Sequence, residues 1–160
     1  MPWVGAIARA LQTAFVDRDS QESRARALET IANRCKNPGW PTLVVYPEGT
    51  TTNGTCLIDF HRGAFNPGCP VQPAVIKFGG KHYTPCWPPG GSTAKACWEL
   101  LCQFYNRMEV EYLPVMYPLS GEEPEQFAER VQAACAKALN VPICRNSKEK
   151  LNIALNKKRL

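Results

Sequence analysis

The sequence predicts a layered α/β domain, a mixed sheet with flanking helices. Three observations point there. Segments of strand character alternate with segments of helical period along most of the chain. An apolar run, Thr42-Leu43-Val44-Val45-Tyr46, stops at Pro47-Glu48-Gly49, the pattern of a buried strand opening into a tight turn. The chain's 160 residues are 44% hydrophobic and 21% charged, enough for one domain with a real core.

Gly5 to Leu11 is a short apolar stretch that reads as helix, and Ala14-Phe15-Val16 as a short strand ending at Asp17-Arg18. Asp19 or Ser20 can cap a helix from Gln21 to about Arg34, with Ala25, Leu28, Ile31 and Ala32 on one face. Asn37-Pro38-Gly39 stops it. Thr42–Tyr46 follows as the buried strand, and residues 47–56 form a polar loop rich in Thr, Asn and Gly. Val71 to Phe78 is the next strand, broken by Pro73, and Gly79-Gly80 turns the chain.

Pro85 to Gly91 is a loop. Ser92 to Tyr105 places Trp98, Leu101, Cys102 and Tyr105 at helical spacing and reads as a core helix, with seating at a membrane interface as the other reading. Met108 to Leu113 alternates apolar and acidic residues, a one-sided strand. Ser120 with Glu123 makes a capping-box pattern for a helix carrying Phe127, Val131, Ala134, Ala138 and Leu139 on one face.

The net charge of +5 is unevenly placed. Up to Cys144 there are thirteen basic and thirteen acidic residues, whereas residues 145–160 add Arg145, Lys148, Lys150, Lys157, Lys158 and Arg159 against Glu149 alone. The expected organisation is therefore a neutral body, 1–144, and a basic tail, 145–160. Such a tail reads as solvated, or as touching anionic lipid or another acidic surface. No nucleic-acid motif accompanies it.

The eight cysteines include no CxxC pair, and only His61 and His82 could join them, so no metal centre is expected. Most have apolar neighbours and read as reduced, buried thiols. No spacing supports a cysteine hydrolase. No segment is long and apolar enough to cross a bilayer, and Met1-Pro2-Trp3-Val4-Gly5 does not read as a signal peptide.

Chemistry concentrates in a few motifs. Glu48, at the end of an apolar strand, is costly to bury, so it either caps backbone donors or meets a ligand. Asp17-Arg18 ends a short strand and by itself is only a charged pair. Phe60-His61-Arg62-Gly63-Ala64-Phe65 and Cys69-Pro70-Val71-Gln72-Pro73-Ala74-Val75 follow. Taken in order, the Arg18 strand, Pro47-Glu48-Gly49-Thr50, Gly63-Ala64-Phe65 and Val71–Val75 resemble the glycerolipid acyltransferase family, and within it the lysophosphatidylcholine acyltransferase branch. The likeness covers roughly residues 2–142.

The resemblance implies that Arg18 contacts the phosphate of the acceptor lipid and that Glu48, Gly49 and Thr50 belong to the acceptor site. His61 and Arg62 stand where the family usually carries a Lys-containing segment, and both could meet a phosphate of coenzyme A or of the acceptor. The Cys69–Val75 block implies packing along the acyl path. Acyl-CoA is implied as co-substrate, a lysophospholipid as acceptor, and no separate cofactor. A membrane surface, the endoplasmic reticulum for the parent protein, is the implied setting.

The resemblance departs in one place. The family's catalytic block is a His followed five positions on by an Asp; here those positions after His61 and His82 hold Asn66 and Trp87. In the family that block lies upstream of the Arg18 strand, which would place it before Met1, so the expectation is an acyltransferase-like fold incomplete at the N-terminus, with no catalytic residue of its own. The alternative is a non-catalytic module that binds lipid or acyl-CoA.

Overall fold

The computed structural model describes residues 2–14, 20–50, 52, 54–79 and 92–144. The chain divides into two compact units, Met1–Val45 and Tyr46–Leu160. The first contains α1 (Pro2–Ala10) and α2 (Gln21–Lys36). Ser20 is the N-cap of α2, its hydroxyl accepting the Ser23 N–H at 3.2 Å, which satisfies one of the donors that a helix start leaves open. Arg34 donates to the Gln12 carbonyl at 2.6 Å and lies over the Trp40 ring at 4.7 Å. The expected apolar face of α2 buries no residue. The strand expected at Ala14–Val16 lies mostly outside the described residues, as does Arg18.

Thr42–Tyr46 is not a strand. A strand needs a partner for its backbone N–H and C=O groups. Among the described residues none pairs with this run, and Val44 and Tyr46 are exposed. Local β propensity gave the run strand character but could not supply the neighbour.

The second unit holds β1 (Leu57–Ile58), a 3₁₀ turn (Arg62–Ala64), β2 (Ala74–Gly79), α3 (Thr93–Leu101), β3 (Arg107–Tyr112), α4 (Pro124–Leu139) and β4 (Ile143–Cys144). Among the described residues the strands form two ladders rather than one broad sheet: β1 parallel to β4, and β2 antiparallel to β3 with Ala74 opposite Tyr112 and Gly79 opposite Arg107. Pro73 sets where β2 begins. It has no N–H to give, but its carbonyl accepts from Leu113 at 2.8 Å. Val71, before it, exchanges both backbone bonds with Met116 at 2.8 and 2.9 Å.

The core lies under α4. Phe127, Ala128, Val131, Cys135 and Ala136 of the helix pack with Leu57, Phe65 and Val75. Phe127 and Val131 are buried as the helical period predicts, while Ala134, Ala138 and Leu139 are only partly covered. The cap is shifted from the expected Ser120–Glu123 pair. Pro124, with φ already helical, takes the first helical position and makes Glu123 the N-cap, whose N–H donates to Gln126 Oε1 at 3.1 Å. Glu122 instead pins the preceding loop. It accepts the Leu119 N–H and both Nε and Nη2 of Arg130, each at 2.8 Å. Arg130 also donates to the Tyr117 carbonyl and lies over the Phe127 ring. The Arg130 hydrogen bonds, then that of Leu119, lower the Glu122 carboxyl to about 2.

What packs on each segment decides its facing. β3 is one-sided, but its apolar side is the outer one: Met108, Val110 and Tyr112, with Ile76 and Phe78 opposite on β2, are exposed. The other face of the ladder carries Val75, packed in the core with α4, and the Lys77–Glu111 pair at 2.8 Å. The alternation is visible in the sequence; which face α4 covers is not. Nor is the Ser92–Tyr105 segment a core helix. α3 ends at Leu101, and Trp98, Leu101, Phe104 and Tyr105 are exposed. Cys97 and Cys102 are exposed too, against the expectation of buried thiols, whereas Cys135 is buried. The Gly80–Gly91 region and the basic tail lie outside the described residues.

Candidate functional site

The site is built on the turn that the apolar run leads into. Tyr46 O accepts the Gly49 N–H at 3.2 Å, closing a four-residue turn with Pro47 at its second position and Gly49 at its fourth, the places that favour these residues. Pro47 O accepts the His61 N–H at 2.8 Å, tying the second motif to the first. Gly49 has φ +63°, a left-handed value that a residue with a Cβ adopts only at a cost. A Cβ there would also stand 2.7 Å from His61 Cδ2 and 3.0 Å from Nε2, so glycine is what lets the imidazole lie on the turn.

Glu48 projects from this turn toward α4. The Ile58 backbone N–H donates to its carboxylate. Ile58 O in turn accepts from Nε2 of the buried Gln132 at 2.7 Å. Glu48 Oε2 is removed from solvent and has no hydrogen-bond partner among the described residues. Burial raises the carboxyl above its ordinary value, and the Ile58 bond only partly offsets it. Burial and the neighbouring Glu48 charge together push up the Cys135 thiol.

Arg62 does not converge on Glu48. It forms an ion pair with Glu125, in the first turn of α4, at 2.8 Å, and this hydrogen bond lowers the Glu125 carboxyl. The pair has firm anchors. Phe65, three residues beyond Arg62, meets Phe127, two beyond Glu125, edge to face at 5.5 Å. Thr50 and His61 are exposed. Of the expected site residues, Glu48, Gly49 and His61 are thus brought together with Thr50 beside them, Arg62 is turned to Glu125, and Arg18 lies outside the described residues.

Sequence reasoning missed Glu125, Gln132 and Cys135. They belong to α4, more than 60 positions from the motifs they meet, and no local period announces such a meeting. Among the described residues no group of three His, Cys, Asp or Glu side chains is placed to hold a metal ion. No described helix is long and apolar enough to cross a membrane.

The arrangement offers a shielded carboxylate oxygen with no donor to it among the described residues, a turn whose glycine lies under the His61 imidazole, and a guanidinium paired with an exposed carboxylate. Residues 1–77 match the family model described as Acyltransferase. Over 97% of its length the chain is 41% identical to lysophosphatidylcholine acyltransferase 1 of Rattus norvegicus and 38% identical to lysophosphatidylcholine acyltransferase 2 of the same species. Over 88% it is 41% identical to the lysophospholipid acyltransferase LPEAT2 of Arabidopsis thaliana. The chain spans 30%, 29% and 26% of these relatives, respectively. No solved structure matches it. With the Pro47–Thr50 turn, the Gly63–Phe65 segment and the Val71–Val75 block all inside the aligned length, the chain belongs to the acyltransferase family, among the relatives of the lysophosphatidylcholine acyltransferases.

Proposed function

We propose that this chain carries the substrate-binding half of a lysophospholipid acyltransferase site, in an enzyme that moves a fatty acyl group from acyl-CoA to a lysophospholipid of the lysophosphatidylcholine kind. Glu48 carries the reading. Its shielded Oε2, with no partner among the described residues, is costly for the fold, and a substrate hydroxyl donated to it would repair that cost. Gly49 lets the His61 imidazole lie against the turn beside it, and Arg62 and Arg18 are the cations this reading assigns to phosphate groups. In the reaction the acceptor oxygen attacks the thioester carbonyl, the new ester forms, the C–S bond breaks, and the thiolate leaves with a proton. These residues bind and orient; the base that takes the hydroxyl proton is none of them, because neither histidine of the chain has an Asp five positions on.

The layered sheet expected from the sequence and an endoplasmic reticulum setting are part of this reading. The alternative to it is a non-catalytic binding module with the same contacts. Incubating the 160-residue chain with radiolabelled acyl-CoA and lysophosphatidylcholine is expected to give no labelled phosphatidylcholine. Robust transfer would show that the chain holds its own base.

The reading also includes a membrane surface as partner. Exposed Trp98, Phe104 and Tyr105, together with the basic residues 145–160 of the sequence, are the groups suited to an anionic interface. The chain is expected to float with liposomes containing phosphatidylserine and less with neutral ones. Absence from both fractions would remove the membrane from the account.

A further inference from the structure

The Arg62–Glu125 pair has a use that the substrate-binding reading leaves open. We propose that Glu125 is a built-in competitor for Arg62, holding the guanidinium at the rim of the site until an incoming phosphate displaces it. This rests on the reading of Arg62 as a phosphate contact.

The pair is not a chance meeting of two long side chains. Its backbones are anchored through Phe65 and Phe127, both buried, within three residues on each side. Glu125 is therefore delivered to Arg62 whenever α4 is packed. Both side chains remain more than half exposed, Arg62 at 70% and Glu125 at 54%. Solvent screens such a pair, so it is weak enough to exchange. A phosphate offers the guanidinium two acceptor oxygens in the geometry of its fork and, in a terminal phosphate monoester, more than one negative charge. It outcompetes a lone carboxylate, while Glu125 keeps Arg62 extended and oriented when the site is empty.

Two phosphates qualify, those of coenzyme A and the phosphodiester of the lysophospholipid. The test measures binding of coenzyme A and, separately, of submicellar short-chain lysophosphatidylcholine to the full chain and to its Glu125→Gln, Arg62→Gln, doubly substituted and Glu129→Gln variants. Arg62→Gln is expected to weaken one of the two ligands, which identifies the source. Glu125→Gln is expected to tighten that same ligand two- to fivefold, about 0.4–1 kcal/mol at 1.4 kcal/mol per tenfold. The double variant should match Arg62→Gln alone.

The competitor role is overturned if Glu125→Gln leaves that ligand unchanged or weakens it, if its gain survives without Arg62, or if Glu129→Gln gives the same gain, which would mean net charge alone. If Arg62→Gln alters neither ligand, the reading of Arg62 as a phosphate contact fails, and the competitor with it. Melting temperatures of the exposed-pair variants should stay close to that of the parent chain, so that affinity changes are not folding changes.

Discussion

Phe127→Ala is expected to remove about 3–5 kcal/mol of stability, the range for truncating a buried aromatic. Phe127 is 1% exposed, the largest fully buried side chain described. Its ring meets Phe65 edge to face and lies under the Arg130 guanidinium at 4.9 Å. Its loss therefore leaves a cavity and also frees both the site loop and the Arg130–Glu122 clasp. Native domains are stable by roughly 5–15 kcal/mol, so a loss of this size is a large fraction of the total and would unfold a chain at the lower end of that range. Urea denaturation checks this, with Ile76→Ala as its counterpart. Ile76 lies on the outer face of the β2–β3 ladder, 42% exposed, and its truncation should cost much less. Equal losses at the two positions would mean that the core is not where α4 places it.

Glu48→Gln should move stability and binding in opposite directions. The Glu48 carboxyl has its folded-state value raised above the ordinary 4.5, mainly by burial. Between the ordinary and the raised value the folded chain binds more protons than the unfolded one. Its contribution is thus most favourable below the ordinary value and is lost as pH rises through the folded one. At neutral pH the ionised group is a burden, which the neutral amide removes. The carboxylate is only partly shielded, so solvent keeps the gain small, read as a modest rise in Tm. The same change removes the charged acceptor for a substrate hydroxyl, and lysophospholipid affinity should fall about tenfold or more, as for losing a hydrogen bond to a charged group. Melting curves at pH 5 and pH 8 check the sign, because the gain should be smaller at the lower pH.

How much of this could be read from the chain depends on how local each determinant is. The Ser20 cap, the turn at Pro47-Glu48-Gly49 and the Phe127–Val131 stripe of α4 are set within one or two turns of backbone, and each is found where the residues put it. Pro124 shows the limit at the next scale: a capping-box pattern at Ser120 is overridden because a proline four residues on fixes where the helix starts. Thr42–Tyr46 and the β2–β3 ladder show a larger one. Their apolar residues announce a buried face, but burial is decided by what another element brings, and α4 covers the side of Val75 rather than that of Ile76 and Val110. The site divides in the same way. Glu48, Gly49 and His61 are close in sequence and meet on one turn. Arg62 finds Glu125 across 63 positions, a contact that comes with the packing of α4 on the Phe65 segment.

The Glu48 turn is kept for a ligand rather than for the fold. Titrating short-chain lysophosphatidylcholine into the full chain and into Glu48→Gln, with the melting temperature recorded on the same samples, tests it most directly. The variant is expected to melt higher and to bind at least about tenfold more weakly. A variant that binds as tightly as the parent chain, or one that melts lower because Glu48 was holding the turn together, would contradict it.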